Sequence, residues 1–243
     1  MKEHMLIAGK HSVYEAIISG SKIKEIMFLK SKEQTLSVLL NVAKQAKIKI
    51  KTVESNEIDR LYKGNHQGVV AFLDEFRYAE LEEVVGKTKK NNERFFAVIL
   101  DHLQDPHNLG AIIRTGCVFG VTCVIIPKNR SVHVTPSVLK IASGGCEYLP
   151  IVMVNNVVQA IEFLKKNNIW VYAADFAGEN VFKTKFSGDL AIVIGAEGKG
   201  VSHLVRQRSD FLISIPMPGK PLSLNASVAA GVVMAEVTKQ CFN

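Results

Sequence analysis

The sequence predicts an α/β protein: a C-terminal, mostly parallel sheet whose strands are buried on both faces, preceded by a small N-terminal α/β domain of mixed topology. Three observations carry that prediction. Short apolar runs of strand length alternate with helix-patterned segments along the chain. Runs such as Phe95-Phe96-Ala97-Val98-Ile99-Leu100 and Leu190-Ala191-Ile192-Val193-Ile194 are apolar at every position, as strands covered on both faces are. Residues 78–94, with Glu82-Glu83, Lys89-Lys90 and Asn91-Asn92, are polar and offer little that could pack. The expected organisation is residues 1–77 as one domain, 78–94 as a solvated linker, and 95–243 as a second domain.

In the first segment, residues 11–18 read as a helix and 23–29 as a strand. Leu36, Leu39, Leu40 and Ala43 fall at helical spacing within 33–46. Residues 48–53 alternate with lysines, as a half-exposed strand does. Residues 57–62 are a short helix candidate and 68–73 a buried strand. The second segment opens with a strand at 95–101, a turn over 104–108 and an apolar helix over 109–119. A strand at 123–126, a short helix at 137–142, a helix at 157–166 and strands at 169–173, 190–194 and 211–215 follow. A helix from Asn225 to about Lys239 closes the chain.

Composition narrows the function classes. The 243 residues are 47% hydrophobic, which is too apolar for a disordered tail. Thirty Lys and Arg stand against 23 Asp and Glu, and the net charge of +7 suits a polyanionic partner without requiring one. No apolar stretch approaches the roughly 20 residues that a bilayer span needs, and the start has no signal-peptide pattern. Cys117, Cys123, Cys146 and Cys241 form no CxxC pair. A soluble cytoplasmic protein with reduced, mostly buried thiols is expected.

Parallel sheets bind ligands at the carboxyl ends of their strands, and three clusters fall there. The first is Asp105-Pro106-His107-Asn108, followed by Gly110 and Arg114. Asn108 suits an N-cap and Asp105 a helix N-terminus. Arg114 is the only charge on an apolar helix, so its guanidinium must reach water, an acid or a ligand. A snorkelling surface side chain and a site residue both satisfy that. His102 and His107 stand nearby without a third ligand at metal spacing, so no metal is expected.

The second cluster is Gly195-Ala196-Glu197-Gly198-Lys199-Gly200. Its glycines expose backbone NH and CO groups to a ligand, and Glu197 among them favours a site over a plain turn. The spacing is not that of a dinucleotide fingerprint, which also opens the first βα unit of its fold. Gly86-Lys87-Thr88 has Leu81 where a P-loop needs its first glycine. The third cluster runs from Ile215 to Asn225. Three prolines stiffen it, and Ile215, Met217 and Leu222 could pocket a flat ring. Ser223 and Asn225 flank a helix start, where simple capping is the alternative.

Taken in order, Asn108-Leu109-Gly110-Ala111-Ile112-Ile113-Arg114, Ile194 to Ser202, and Ile215-Pro216-Met217 with Ser223-Leu224-Asn225-Ala226-Ser227-Val228-Ala229 resemble the three motifs of the SpoU (TrmH-type) RNA ribose methyltransferases of the SPOUT superfamily. Tyr14-Glu15-Ala16 and His66-Gln67-Gly68 resemble the subfamily with a small ribosomal-protein-like N-domain, and within it the resemblance is greatest to the branch that methylates a guanosine of 23S rRNA in the peptidyl-transferase P loop. The resemblance implies transfer of a methyl group from S-adenosylmethionine to a ribose 2′-hydroxyl. It also implies a trefoil knot, which general chain rules argue against, and a homodimer with its site near the subunit interface. Backbone groups of Gly195, Ile215 and Leu224, beside Met217, would hold the cofactor. Arg114 would stabilise the attacking oxygen, with Asn108 orienting Arg114 or a phosphate. Glu197, Ser223 and Asn225 would fix the loops and contact RNA or the partner subunit.

The N-domain would capture RNA through Lys22, Lys24, Lys44, Lys47, Lys49 and Lys51. Few aromatics interleave with them, so recognition by shape is expected rather than base stacking. A tRNA ribose methyltransferase and a non-catalytic RNA-binding paralogue are the alternatives.

Overall fold

The computed structural model describes residues 5–18, 21–73, 76–219 and 223–242. The chain divides into two compact units, Met1–Arg77 and Tyr78–Asn243. The first comprises β1 (Met5–Ala8), α1 (Lys10–Ile18), β2 (Ile23–Leu29), α2 (Ser37–Gln45), β3 (Lys49–Val53), α3 (Ser55–Leu61) and β4 (Val69–Leu73). Its sheet order is β1-β4-β2-β3. β4 runs antiparallel to β1 and β2, while β3 is parallel to β2, which is the mixed topology expected. Val13, Ile26, Phe28, Leu39, Ala43 and Val69 form its core. The helix expected over 33–46 starts only at Ser37, after a single 3-10 turn at Lys30–Lys32. All six lysines singled out above are exposed. Two are already paired with acids: Lys49 Nζ lies 2.8 Å from Glu25 Oε1 and Lys51 Nζ 3.4 Å from Glu57 Oε2.

The second unit begins with α4 (Leu81–Lys90), β5 (Phe96–Asp101), α5 (Pro106–Val118), β6 (Cys123–Pro127), α6 (Pro136–Ala142) and α7 (Gly145–Tyr148). It continues with β7 (Ile151–Val154), α8 (Val157–Lys166), β8 (Trp170–Asn180), β9 (Leu190–Gly195), α9 (His203–Arg208), β10 (Phe211–Ser214) and α10 (Ala226–Cys241). The sheet order is β10-β8-β9-β5-β6-β7, and all five neighbouring pairs are parallel. β5 is buried at every position and β9 at all but its last, Gly195. Helices cover them, so no water reaches either face.

The solvated linker expected at 78–94 is not found. Its centre is α4, with Leu81, Val85 and Thr88 buried on one stripe. Leu81 and Val85 join the core of the second unit, Ala79 bridges Val152, and Val134 N donates to Tyr78 Oη at 3.1 Å. The charged pairs that suggested a linker occupy the exposed face. Glu82-Glu83 sits in the first turn and Lys89-Lys90 in the last, each complementing the helix dipole.

Two further expectations are corrected. Asn108 is not the N-cap of its helix. Asp105 is, with Oδ1 accepting from His107 N at 2.9 Å, and the helix starts at Pro106 rather than 109. Proline is favoured in that first turn because it has no NH to leave unpaired. The thiols are not mostly buried: all four are free, but only Cys123 is buried. Burial pushes the Cys123 thiol up to about 12.

α5 packs closely on α6 through Gly110, where an added Cβ would lie 2.6 Å from Ile141 Cβ. Gly110→Ala is therefore expected to destabilise the protein by about 1–3 kcal/mol, as overpacking does. Gly86→Ala on the exposed face of α4, where nothing lies within 4 Å of the new Cβ, is expected to stabilise by about 0.4–1 kcal/mol. Paired urea denaturation curves read both signs.

Candidate active site

The site forms where the carboxyl ends of β5 and β9 lie side by side, with Asp101 paired to Gly195 in register. After β9 the chain folds back sharply. Gly200 N donates to Ala196 O at 2.8 Å, and Gly198 and Gly200 have φ of +74° and +67°, a region that favours glycine. The loop lies directly on Gly195, whose added Cβ would stand 2.0 Å from Gly200 C.

Glu197 in this loop ties the three sequence clusters together. Its Oε1 accepts from Asn108 Nδ2 and from Asn225 Nδ2, each at 2.8 Å. Asn108, freed from capping, is buried in the first turn of α5. Asn225 serves in both readings offered for it. Its Oδ1 caps α10 by accepting from Ser227 N at 2.9 Å and Val228 N at 3.3 Å, while its amide reaches Glu197. Capping belongs to Asn225 and not to Ser223, which is exposed.

Two clefts flank the loop. One, of about 460 Å³, has apolar walls from Ile194, Ile213, Ile215, Met217, Leu224 and Ala226. Gly195, Glu197 and Ser223 also line it, so all four expected cofactor residues meet there. Leu222 lies outside the described residues. The other cleft, of about 560 Å³, has Asp101, His102, Gln104, Asp105, Asn108 and Arg130 facing Glu197, Lys199 and Ser202. Ala196, Glu197, Lys199 and Gly200 line both clefts. Arg114 lines neither. It is exposed on α5, with Nη1 3.4 Å from Ser143 Oγ, while the amide of Asn108 is engaged by Glu197.

The apolar cleft also contains residues that the sequence did not flag. Asp175 and Phe176 reach it because β8 runs on past Ala173 to Asn180, and Arg206 comes from α9. Arg206 Nη1 donates to Asp175 Oδ2 at 3.0 Å, yet its buried Nε has no hydrogen-bond partner among the described residues. These groups fit S-adenosylmethionine. The size lies within the roughly 300–1,000 Å³ of small-molecule sites. Apolar walls suit the adenine, and the carboxylates of Asp175 and Glu197 suit a cationic sulfonium. The unpartnered Arg206 donor suits a carboxylate.

Among the described residues, no three His, Cys, Asp or Glu are placed to hold a metal ion. Among the same residues, no helix is long and apolar enough to cross a membrane.

Comparison with known proteins covers both units. The SpoU rRNA Methylase family matches residues 95–235, and the RNA 2′-O ribose methyltransferase substrate binding family matches residues 6–79. YacO of Bacillus subtilis (strain 168), assigned to the TrmH family of tRNA/rRNA methyltransferases, is 39% identical over 242 residues, spanning 98% of this chain and 97% of its own. A protein of Staphylococcus aureus (strain COL) with the same assignment is 41% identical over 240 residues, spanning 98% and 97%. In fold, the chain is similar to the SpoU methyltransferase AviRb of Streptomyces viridochromogenes, crystallised with the cofactor AdoMet. The TM-score is 0.68 at 22% identity, over 98% of this chain and 90% of that one.

Proposed function

The chain belongs to the SpoU rRNA methylase family, and from that premise we propose that it methylates the ribose 2′-hydroxyl of a guanosine in 23S rRNA, in the cytoplasm. The observation that carries the reading is the Glu197 carboxylate, which fastens α5 and α10 to the loop dividing the two clefts. One cleft fits S-adenosylmethionine, and the other, open beside it, takes the nucleotide.

The cofactor, when bound, supplies an electrophilic methyl group. The chain's own residues supply alignment, which is worth much of the barrier in such displacements. Ile215, Met217 and Leu224 seat the flat ring, with backbone groups of Gly195, Ile215 and Leu224 at its polar edge. Glu197 keeps the three loops in place, and Ser223 lines the cofactor cleft beside them. Arg114 stabilises the charge that develops on the attacking oxygen. Its guanidinium keeps its proton, so it acts as a fixed cation and not as a base.

Arg114 reaches the substrate, in this reading, through the homodimer. Around it α5, α7 and α10 expose Val118 (78%), Tyr148 (83%) and Val228 (51%). α10 returns against α5, with Thr238 Oγ1 donating to Phe119 O at 2.9 Å. Such a surface suits a second copy. The return of α10 beside α5, with β9 set between β8 and β5, also supports the knotted path that family membership implies. Val118→Asp is expected to convert dimer to monomer in light scattering and to lower methyl transfer with it. An unchanged mass would place the interface elsewhere.

Lys22, Lys24, Lys44 and Lys47 supply the phosphate contacts of the N-domain, since Lys49 and Lys51 already have acid partners. The direct test offers labelled S-adenosylmethionine with 23S rRNA lacking native modifications and, separately, with tRNA. Label on the ribosomal RNA is expected. Label on tRNA alone would favour a tRNA enzyme, and RNA binding without label would favour a non-catalytic paralogue.

A further inference from the structure

We propose that His102 is the proton acceptor for the target 2′-hydroxyl, with Asp101 as its positioning residue. The inference rests on the methyltransferase reading above. Asp101 ends β5 and is 1% exposed at its side chain, whereas His102 beside it is 43% exposed. Both Asp101 oxygens are engaged: Oδ1 with His102 Nδ1 at 2.6 Å, and Oδ2 with Ser202 N at 2.7 Å. A carboxylate that accepts at both oxygens requires Nδ1 to carry a proton, so in the neutral ring the lone pair is on Nε2. Among the described residues Nε2 has no hydrogen-bond partner. The backbone is also committed. His102 has φ +60°, a left-handed conformation that few non-glycine residues adopt and that often marks a functional constraint.

Position and chemistry then select His102 among the groups of its cleft. It faces Asp101, Asp105, Arg130, Glu197 and Lys199 there. Arg130 and Lys199 are cations without an acceptor site. Asp105 caps α5, and Glu197 Oε1 already takes two amide donors. Both carboxyls are also intrinsically weaker bases than an imidazole near neutral pH. The cleft meets the cofactor cleft along Ala196, Glu197, Lys199 and Gly200, so a ribose entering from the His102 side would approach the shared wall with the imidazole on its own side of it.

The step balances. The 2′-oxygen forms the bond to the methyl carbon, and the carbon–sulfur bond breaks, its electron pair staying on sulfur. The O–H proton passes to His102 Nε2. The positive charge lost by the sulfonium reappears on the imidazolium, beside the Asp101 carboxylate, and is released as that proton returns to water. Arg114 and His102 then divide the work, the first stabilising charge and the second removing the proton.

His102→Asn is the first test, because asparagine tolerates the left-handed backbone and offers no base. His102→Gly is the second, because it leaves room for added imidazole. Each is expected to lose about 100-fold or more in kcat, the usual worth of a positioned base. Cofactor affinity by calorimetry and RNA affinity by gel shift should stay at the wild-type level. The acidic limb of the rate–pH profile should vanish in both variants, and imidazole should restore turnover to His102→Gly. In the wild type without cofactor, the His102 ring resonance should shift when RNA is added. Undiminished kcat in either variant overturns the inference. So does a loss that keeps the acidic limb and resists imidazole, since His102 would then be structural. A wild-type protein that labels no RNA sinks the methyltransferase reading and this inference with it; a labelling wild type with unaffected variants sinks this inference alone.

Discussion

Arg114→Ala is expected to lower kcat about a thousandfold while leaving cofactor binding and thermal stability unchanged. Removing one donor aimed at a developing oxyanion costs roughly 10²–10³ in rate, and Arg114 is the cation assigned to that charge. Its side chain is exposed, with a hydrogen bond to Ser143 Oγ at 3.4 Å, so truncation removes little packing. It also stands outside the cofactor cleft. Arg114→Lys separates two forms of the role. Substantial recovery would mean that a positive charge suffices, whereas a persistent deficit would mean that the planar fork is needed. An Arg114→Ala protein that turns over near the wild-type rate would remove Arg114 from the mechanism. Steady-state methyl transfer with calorimetry of cofactor binding reads all three outcomes.

Gly195→Ala is expected to damage binding and stability together. The added Cβ would lie 2.0 Å from Gly200 C and 2.2 Å from both Gly200 O and Val201 N. All three of these nearest atoms are backbone, so no side-chain rotation relieves the contact. The loop over 196–200 must lift, and with it goes Glu197, the shared acceptor for Asn108 and Asn225. Overpacking of this kind costs about 1–3 kcal/mol, a fall in Tm of roughly 2–4 °C per kcal/mol for a chain this long. Cofactor affinity should fall by at least about tenfold, which is 1.4 kcal/mol, because the same loop forms one cleft wall. A variant that kept its affinity would show that the loop does not hold the cofactor.

The contrast between these residues follows what was legible in the sequence. Continuous apolar runs announced β5 and β9, since only strands covered on both faces read that way. The three clusters were legible for the same reason: a parallel sheet delivers its loops to one edge. Their mutual contacts were not. Asn108 was expected to orient Arg114 or a phosphate, but it bonds Glu197 across 89 residues of sequence. No local pattern encodes that separation. Helix α4 was hidden by its composition, because a narrow stripe of Leu81, Val85 and Thr88 suffices to bury one face of a charged helix. The short α7, β7 and α9 carry too few residues to show a period. Asp175 was missed because β8 outruns its apolar run by seven residues, from Ala173 to Asn180, and Arg206 because it lies on the short α9. Asp101 and His102 are adjacent in sequence, yet their pairing depends on a left-handed backbone that the sequence does not display.

The central claim is that the methyl group goes to a ribose oxygen of RNA. Alkaline hydrolysis tests it most directly, because the cleavage needs a free 2′-hydroxyl. Unmodified 23S rRNA would be labelled by the wild-type protein with methyl-labelled S-adenosylmethionine, hydrolysed in alkali and separated by size. Label confined to alkali-stable dinucleotides with guanosine at the first position is the expected result. Label in mononucleotides would place the methyl group on a base and contradict the reading of the site.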